Sequence, residues 1–187
     1  ANFNGYSADI TRTYSYKNDK FSELISSIDK LMLNAIDGLK PGVSYVDLHI
    51  ATYKAIGQVL HDFNFIKVTA DIAVESGIIS TFFPHGLGHH LGLQVHDVGG
   101  FMADARGTHL STPAQHPFLR TSRVVEANQV FTIEPGLYFI DSLLADLKAS
   151  PNSDQVNWDK IEEMRGFGGI RIEDNVIVHQ SHNENIT

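Results

Sequence analysis

The spacing of apolar and polar positions divides the chain into stretches of different period. Over FSELISSIDKLMLNAIDGL, Leu24, Ile28, Leu31 and Ala35 recur at intervals of three and four, which places them on one face of a helix. Asp19 stands where an N-cap belongs, and Gly38 followed by Pro41-Gly42 supplies the stop. Ser44 with Asp47 has the form of a capping box in which Asp replaces Glu, and it opens a second helical pattern that reaches about Phe63.

Elsewhere the period shortens to two. ADITRTYSY at residues 8–16 alternates and is rich in Thr, Tyr and Ile, so it predicts a strand. VFTIEPGLYF around residues 130–139 and GIRIEDNVIVH at 169–179 predict two more. The stretches 97–122 and 141–168, with scattered Gly, Pro, Ser and Asp, read as irregular, and no internal repeat or low-complexity tract is present. A strand, two helices, a loop and then strands make an α+β chain, with an antiparallel sheet and helices packed on one side.

Composition narrows the function classes. At 187 residues, 42% hydrophobic and 19% charged, the chain is globular and large enough for one core. A formal charge of -8 without a basic cluster argues against a nucleic-acid partner. The absence of cysteine excludes disulfides and thiolate metal sites. No apolar run is long enough to span a membrane, and ANFNGYSADITRT has neither region of a signal peptide, so the residues fit a cytoplasmic protein.

Alternation of side chains along the strands then brings out the chemistry. Asp9, Thr11 and Thr13 share one face, with Ile10 on the other; Thr132 and Glu134 oppose Phe131 and Ile133; Arg171 and Glu173 oppose Ile170 and Ile172. A solvated strand face explains any one of these carboxylates. Their coincidence with the histidine-rich run HGLGHHLGLQVHD, residues 85–97, and with the strand-stopping Pro135-Gly136 points to a site. His85 and His89 have the spacing of a helical zinc-protease pair. However, Gly86, Gly88 and Gly92 oppose a helix, and the glutamate that such a motif needs is Gly86 here. The run reads as loop and strand, its glycines allowing close backbone approach to a ligand or ion. One histidine among several carboxylates suits Mn²⁺, Co²⁺ or Fe²⁺ better than structural zinc. Carboxylates also bridge paired cations, which at ~3.5–4 Å separation can hold a nucleophilic hydroxide.

NGYSADITRT, HGLGHHLGLQVHD, FTIEPGLYF and GGIRIEDNVIVH occur in the order found in the bacterial Xaa-Pro dipeptidases (prolidases) of the pita-bread metallopeptidase family. The chain resembles them over essentially its whole length, GFMADARGTHL and NWDKIE included. The closing His-Asp of the long motif favours this branch over the methionine aminopeptidases, and close relatives include organophosphorus acid anhydrolases. The resemblance implies a pita-bread fold in which Asp9 bridges metal, His89 is the single histidine ligand, Glu134 binds metal and acts as general acid/base, and Glu173 bridges both ions. His85, His96 and Arg171 would contact substrate or stabilise the tetrahedral intermediate. It also implies two divalent ions, Mn²⁺ first and Co²⁺ next, a dipeptide substrate ending in proline, a homodimeric parent and a capacity for organophosphate hydrolysis. A further aspartate ligand of the family would fall just ahead of Ala1. Residues 1–187 would then be an N-terminally truncated, C-terminal part of the catalytic domain, with a weakened second ion and impaired activity.

The alternative is a non-catalytic pita-bread module that binds peptides or proteins. Such modules lose ligands, whereas every ligand position this chain can contain is filled; creatinase-type chemistry does not share this metal set. His90 matches no role, and His49, His61, His109, His116, His179 and His182 read as surface or packing residues.

Overall fold

The computed structural model describes residues 2–17 and 19–187. Helix α1 (Lys20–Gly38) starts as the sequence predicts: the Asp19 carboxylate accepts the Phe21 and Ser22 N–H groups, and the Ser22 hydroxyl returns a bond from the Asp19 N–H. Its apolar stripe, Leu24, Ile28, Leu31 and Ala35, is buried. Helix α2 (Tyr45–Asp62) opens with Ser44 Oγ accepting the Asp47 N–H at 3.2 Å. Two short helices, α3 (Ala70–Glu75) and α4 (Ile79–Phe82), occupy what reads as loop.

Both long strand patterns form, but each is broken at its carboxylate. Residues around 130–139 become β3 (Gln129–Ile133) and β4 (Gly136–Tyr138). Residues 169–179 become β5 (Gly169–Arg171) and β6 (Asp174–Val178). β3 pairs antiparallel with β6, opposing Thr132 to Asn175, and β4 pairs antiparallel with β5, opposing Gly136 to Arg171. Glu134 and Glu173 therefore sit at two facing breaks in one bent ribbon. A last strand, β7 (Asn183–Asn185), pairs with β6. Helix α1 packs on β3 and β5 and α4 on β4, joined in one core by Leu24, Ile28, Phe131, Ile133, Ile170 and Val176.

Two expectations need correction. Residues 8–16 do not join a ladder: the segment is extended, with a single bridge from Thr11 to Glu173. Its alternation is nevertheless real, because Asp9, Thr11 and Thr13 turn inward while Tyr14 and Tyr16 lie 82% and 99% exposed. The regular pairing lies earlier, where β1 (Asn2–Phe3) and β2 (Tyr6–Ser7) form a hairpin around Asn4-Gly5, both at positive φ. This is the backbone that an Asn-Gly hairpin turn needs. The stretch 141–168 is also not irregular. It holds α5 (Asp141–Ala149) and α6 (Trp158–Arg165), each anchored by two buried residues three apart, Leu144 with Leu147 and Ile161 with Met164. Helices this short draw their stability from packing rather than propensity, so their sequence signal is weak. Among the described residues no helix is long and apolar enough to cross a membrane.

Candidate active site

The histidine-rich run is drawn alongside β3 by backbone bonds. Leu91 N–H donates to the Val130 carbonyl, Thr132 N–H to the His89 carbonyl and Glu134 N–H to the Leu87 carbonyl, at 2.7–2.9 Å. Gly88 makes this approach possible: a Cβ there would lie 2.0 Å from the Thr132 carbonyl oxygen and 2.6 Å from the Tyr45 hydroxyl. The close contact that the glycine permits is therefore to neighbouring backbone. The Thr132 hydroxyl ties the two elements together, accepting the His89 N–H at 3.0 Å and donating to Glu134 Oε1 at 3.3 Å.

His89 lies at the centre of the constellation. Its Nε2 is 3.5 Å from Glu134 Oε1 and 3.8 Å from Asp9 Oδ2. Ligand atoms of His89, Glu134 and Glu173 fall within 4.8 Å of one another, as do those of Asp9, His89 and His96. Burial pushes the His89 imidazole down to about 4, so it is neutral at pH 7. Its Nδ1 meets the His90 carbonyl oxygen at 3.1 Å; the proton on that nitrogen leaves a lone pair on Nε2. That lone pair faces carboxyl oxygens of Glu134 and Asp9, an arrangement of acceptors that needs a proton or a cation between them. His89 Nε2 and Glu173 Oε1 are both buried and without a hydrogen-bond partner among the described residues. Burial, reinforced by the charge of Glu173, raises the Glu134 carboxyl to about 8, and burial also raises Glu173. The donor set fits a divalent cation, which would remove each of these costs.

The carboxylates are held from behind. The Thr11 hydroxyl donates to Glu173 Oε2 at 2.6 Å, while Arg12 donates to the Glu173 carbonyl at 2.7 Å and pairs with Asp174. Asp9 is brought in by its N–H, which reaches Asn175 Oδ1 at 3.4 Å.

Next to these ligands runs a chain of hydrogen bonds. Arg171 Nη1 lies 3.4 Å from Glu134 Oε2, and Arg171 Nε donates to the Tyr138 hydroxyl at 2.7 Å. The Tyr138 hydroxyl is 2.9 Å from His85 Nε2, and His85 Nδ1 is 2.7 Å from the Gly86 carbonyl oxygen. Burial and then the Arg171 charge lower His85 to about 4, so it is a neutral acceptor for the Tyr138 O–H. His96, on the more open side, stacks edge-on against His89 with ring centroids 4.5 Å apart. His85, His96, Glu134 and Arg171 line one cavity of about 230 Å³ together with Phe118 and Arg120.

All seven residues singled out from the sequence thus gather in one place. Two members of the site were missed. Tyr138 shares the strand face of Thr132 and Glu134 by even spacing, a signal that was available in the sequence. Arg120 lies in the stretch read as irregular, where no periodicity marks it.

A profile of metallopeptidase family M24 matches residues 1–180. The chain belongs to metallopeptidase family M24. Over all 187 residues this M24 chain is 84% identical to a protein named Xaa-Pro dipeptidase of Colwellia psychrerythraea (strain 34H), covering 42% of it. Over 185 residues it is 57% identical to the Xaa-Pro dipeptidase of Shewanella loihica, again covering 42%. The chain thus spans less than half the length of these curated relatives. Among solved structures it resembles Escherichia coli aminopeptidase P with the inhibitor Pro-Leu at 28% identity and a TM-score of 0.71, over 97% of this chain and 35% of that one. A Glu383Ala form of that enzyme in complex with substrate matches at 27% identity and a TM-score of 0.72, covering 98% and 35%. The architecture is the α+β pita-bread fold.

Proposed function

We propose that residues 1–187 form the C-terminal part of the catalytic domain of a metal-dependent dipeptidase that cleaves the bond preceding a C-terminal proline. The observation that carries this reading is the convergence of Asp9, Glu134 and Glu173 on the unpartnered Nε2 of a neutral, buried His89. The names of the relatives that match the chain end to end support it. Two divalent ions, best Mn²⁺ and next Co²⁺ for an oxygen-rich set, would supply Lewis acidity and lower the pKa of the attacking water.

The chain's own residues do the rest. Glu134 takes the proton of the attacking water and returns it to the departing proline nitrogen; its carboxyl, held by Arg171 and the Thr132 hydroxyl, is positioned to accept and release that proton. Arg171 fixes one Glu134 oxygen, and through Tyr138 it aligns His85 toward the reacting carbonyl. His96 and Arg120 line the same cavity, where a cation suits the terminal carboxylate of a dipeptide. Phosphotriesters of the organophosphate class would use the same attacking water and are a second substrate class within this reading.

The test is proline release from Ala-Pro by the Mn²⁺-loaded full-length protein that contains residues 1–187, and by its Glu134→Gln form. Metal-dependent release that the variant lowers by about 10²-fold is expected. A full-length protein that neither binds Mn²⁺ by calorimetry nor releases proline would overturn the proposal.

A further inference from the structure

Phe118 and Arg120 reach the catalytic cavity from a stretch that has no helix or strand of its own, so something else places them. The stretch is tied down at both ends: the Leu110 N–H donates to the Phe101 carbonyl at 2.8 Å, and the Ser122 N–H to the Gly100 carbonyl at 2.9 Å. Between these ties, residues 111–121 turn on themselves, the His116 N–H donating to the Pro113 carbonyl and the Leu119 N–H to the His116 carbonyl. Among the described residues, one hydrogen bond joins 111–121 to the rest of the molecule: His116 Nδ1 to His49 Nε2, at 3.0 Å. His49 is buried on α2, and the His116 ring stands edge-on to both His49 and Tyr53, with centroids 4.5 and 5.0 Å apart. Beyond this anchor the buried Leu119 lies against Gly86, where a Cβ would come within 2.9 Å of the Leu119 Cα. The bond also has a direction. His49 Nδ1 is buried without a hydrogen-bond partner among the described residues, and proteins avoid an orphaned buried N–H more strictly than an idle lone pair. Burial keeps both rings neutral at pH 7, so the single proton of His49 belongs on Nε2 and is donated to His116 Nδ1.

We propose that His116, held by His49, is a positioning residue that latches the 111–121 span so that Phe118 and Arg120 stand in the catalytic cavity. The use made of Arg120 rests on the dipeptidase reading above; the latch itself does not. Without the bond, 111–121 is fastened at its ends and by the burial of Leu119 and the edge-on rings. Arg120 then samples many positions, and the cost of ordering it falls on substrate binding. The groups around His89 are held by other elements, β3, β5, β6 and the segment from Ser7 to Thr13, and keep their places.

The test uses the Mn²⁺-loaded full-length protein that contains residues 1–187. Asparagine carries its amide oxygen about where histidine carries Nδ1, so His116→Asn keeps the acceptor that His116→Leu removes. In His116→Leu, amide exchange over residues 114–120 should quicken about tenfold, the worth of one hydrogen bond, while α2 exchanges as before. KM for Ala-Pro should rise about tenfold with kcat within about twofold, the pattern of lost uniform binding, and Mn²⁺ affinity by calorimetry should be unchanged. His116→Asn should restore both exchange and KM. A second route leaves His116 in place: His49→Gln keeps an amide N–H at the Nε2 position and should behave as the parent, whereas His49→Leu should match His116→Leu. Because both remove the same bond, the double Leu variant should be no worse than either single one. Unchanged exchange over 114–120, full additivity of the two Leu variants, or equal losses in His116→Asn and His116→Leu would overturn the latch. Faster exchange with an unaltered KM would overturn its place in the reaction. If the parent does not cleave Ala-Pro, it is the dipeptidase reading that fails, and the exchange measurements alone decide the latch.

Discussion

Replacing Glu134 with glutamine isolates what it costs to bury carboxylates around His89 without a cation. Held at about 8 against an ordinary 4.5, the Glu134 carboxyl disfavours ionisation in the folded chain by on the order of 5 kcal/mol, at ~1.36 kcal/mol per pH unit. Below pH 4.5 the group is protonated whether the chain is folded or not, and nothing is lost. Between 4.5 and 8 the unfolded chain has released its proton while the folded chain keeps it, so metal-free stability falls as pH rises. Above 8 both forms are ionised and the full penalty stands. Glu173, also raised by burial, adds a contribution of the same sign. In Glu134→Gln the charge is gone, and an amide N–H replaces an acceptor 3.5 Å from His89 Nε2. Urea unfolding in EDTA from pH 4.5 to 9 should therefore give a steeply falling curve for the parent and a much flatter one for the variant. The variant should be the more stable of the two at pH 8. Parallel curves would mean that Glu134 is ionised without penalty, and the argument for a cation at His89 would lose its energetic basis.

Four further outcomes are expected. The two ligand groups share the single free nitrogen of His89, so the 187-residue chain should bind one Mn²⁺ tightly and a second at least about tenfold more weakly in a calorimetric titration; two equal sites would contradict this. His96→Ala should leave the tight ion in place while lowering kcat/KM, and loss of that ion would make His96 a ligand. Tyr138→Phe cuts the bonds from Arg171 and to His85, so kcat should fall about tenfold with Mn²⁺ affinity unchanged. Gly88→Ala forces a methyl group onto the Thr132 carbonyl and should destabilise the chain by about 3 kcal/mol or more in denaturant unfolding, whether metal is present or not.

How far the sequence could be read depended on whether a residue's role was local. The α1 cap and stripe, the second helix and the alternation of Asp9, Thr11 and Thr13 are properties of neighbours along the chain, and they appear where expected. The breaks at Glu134 and Glu173 are tertiary. Pro135 hints at the first, but nothing local marks the second, where the chain bends so that β5 and β6 can follow β4 and β3. Helices α5 and α6 escaped because two buried anchors in eight or nine residues are too few to establish a period. The same holds for Arg120, whose place in the cavity is decided by the packing of an irregular stretch. His49 and His116, read singly as packing residues, are 67 positions apart, and only the fold makes them a pair.

The segment from Ser7 to Thr13 is fastened to the body by a short series of bonds: Ser7 to Gly92, Asp9 to Asn175, Thr11 and Arg12 to Glu173, and Thr13 to Arg171. Most of these partners lie within two residues of a candidate ligand. The strap is thus stitched to the molecule along the seam where an ion would sit, and Asp9 is its contribution to that seam. Stripping the ion should let the strap open on its own, well before the helices yield, as a local excursion of low free energy. Amide exchange across residues 7–13 would then read ion occupancy directly, and a protease offered the metal-free chain would cut first beside the exposed Tyr14 and Tyr16. The ion would act as a buckle as well as a reagent, making the lifetime of the closed strap a function of free metal concentration.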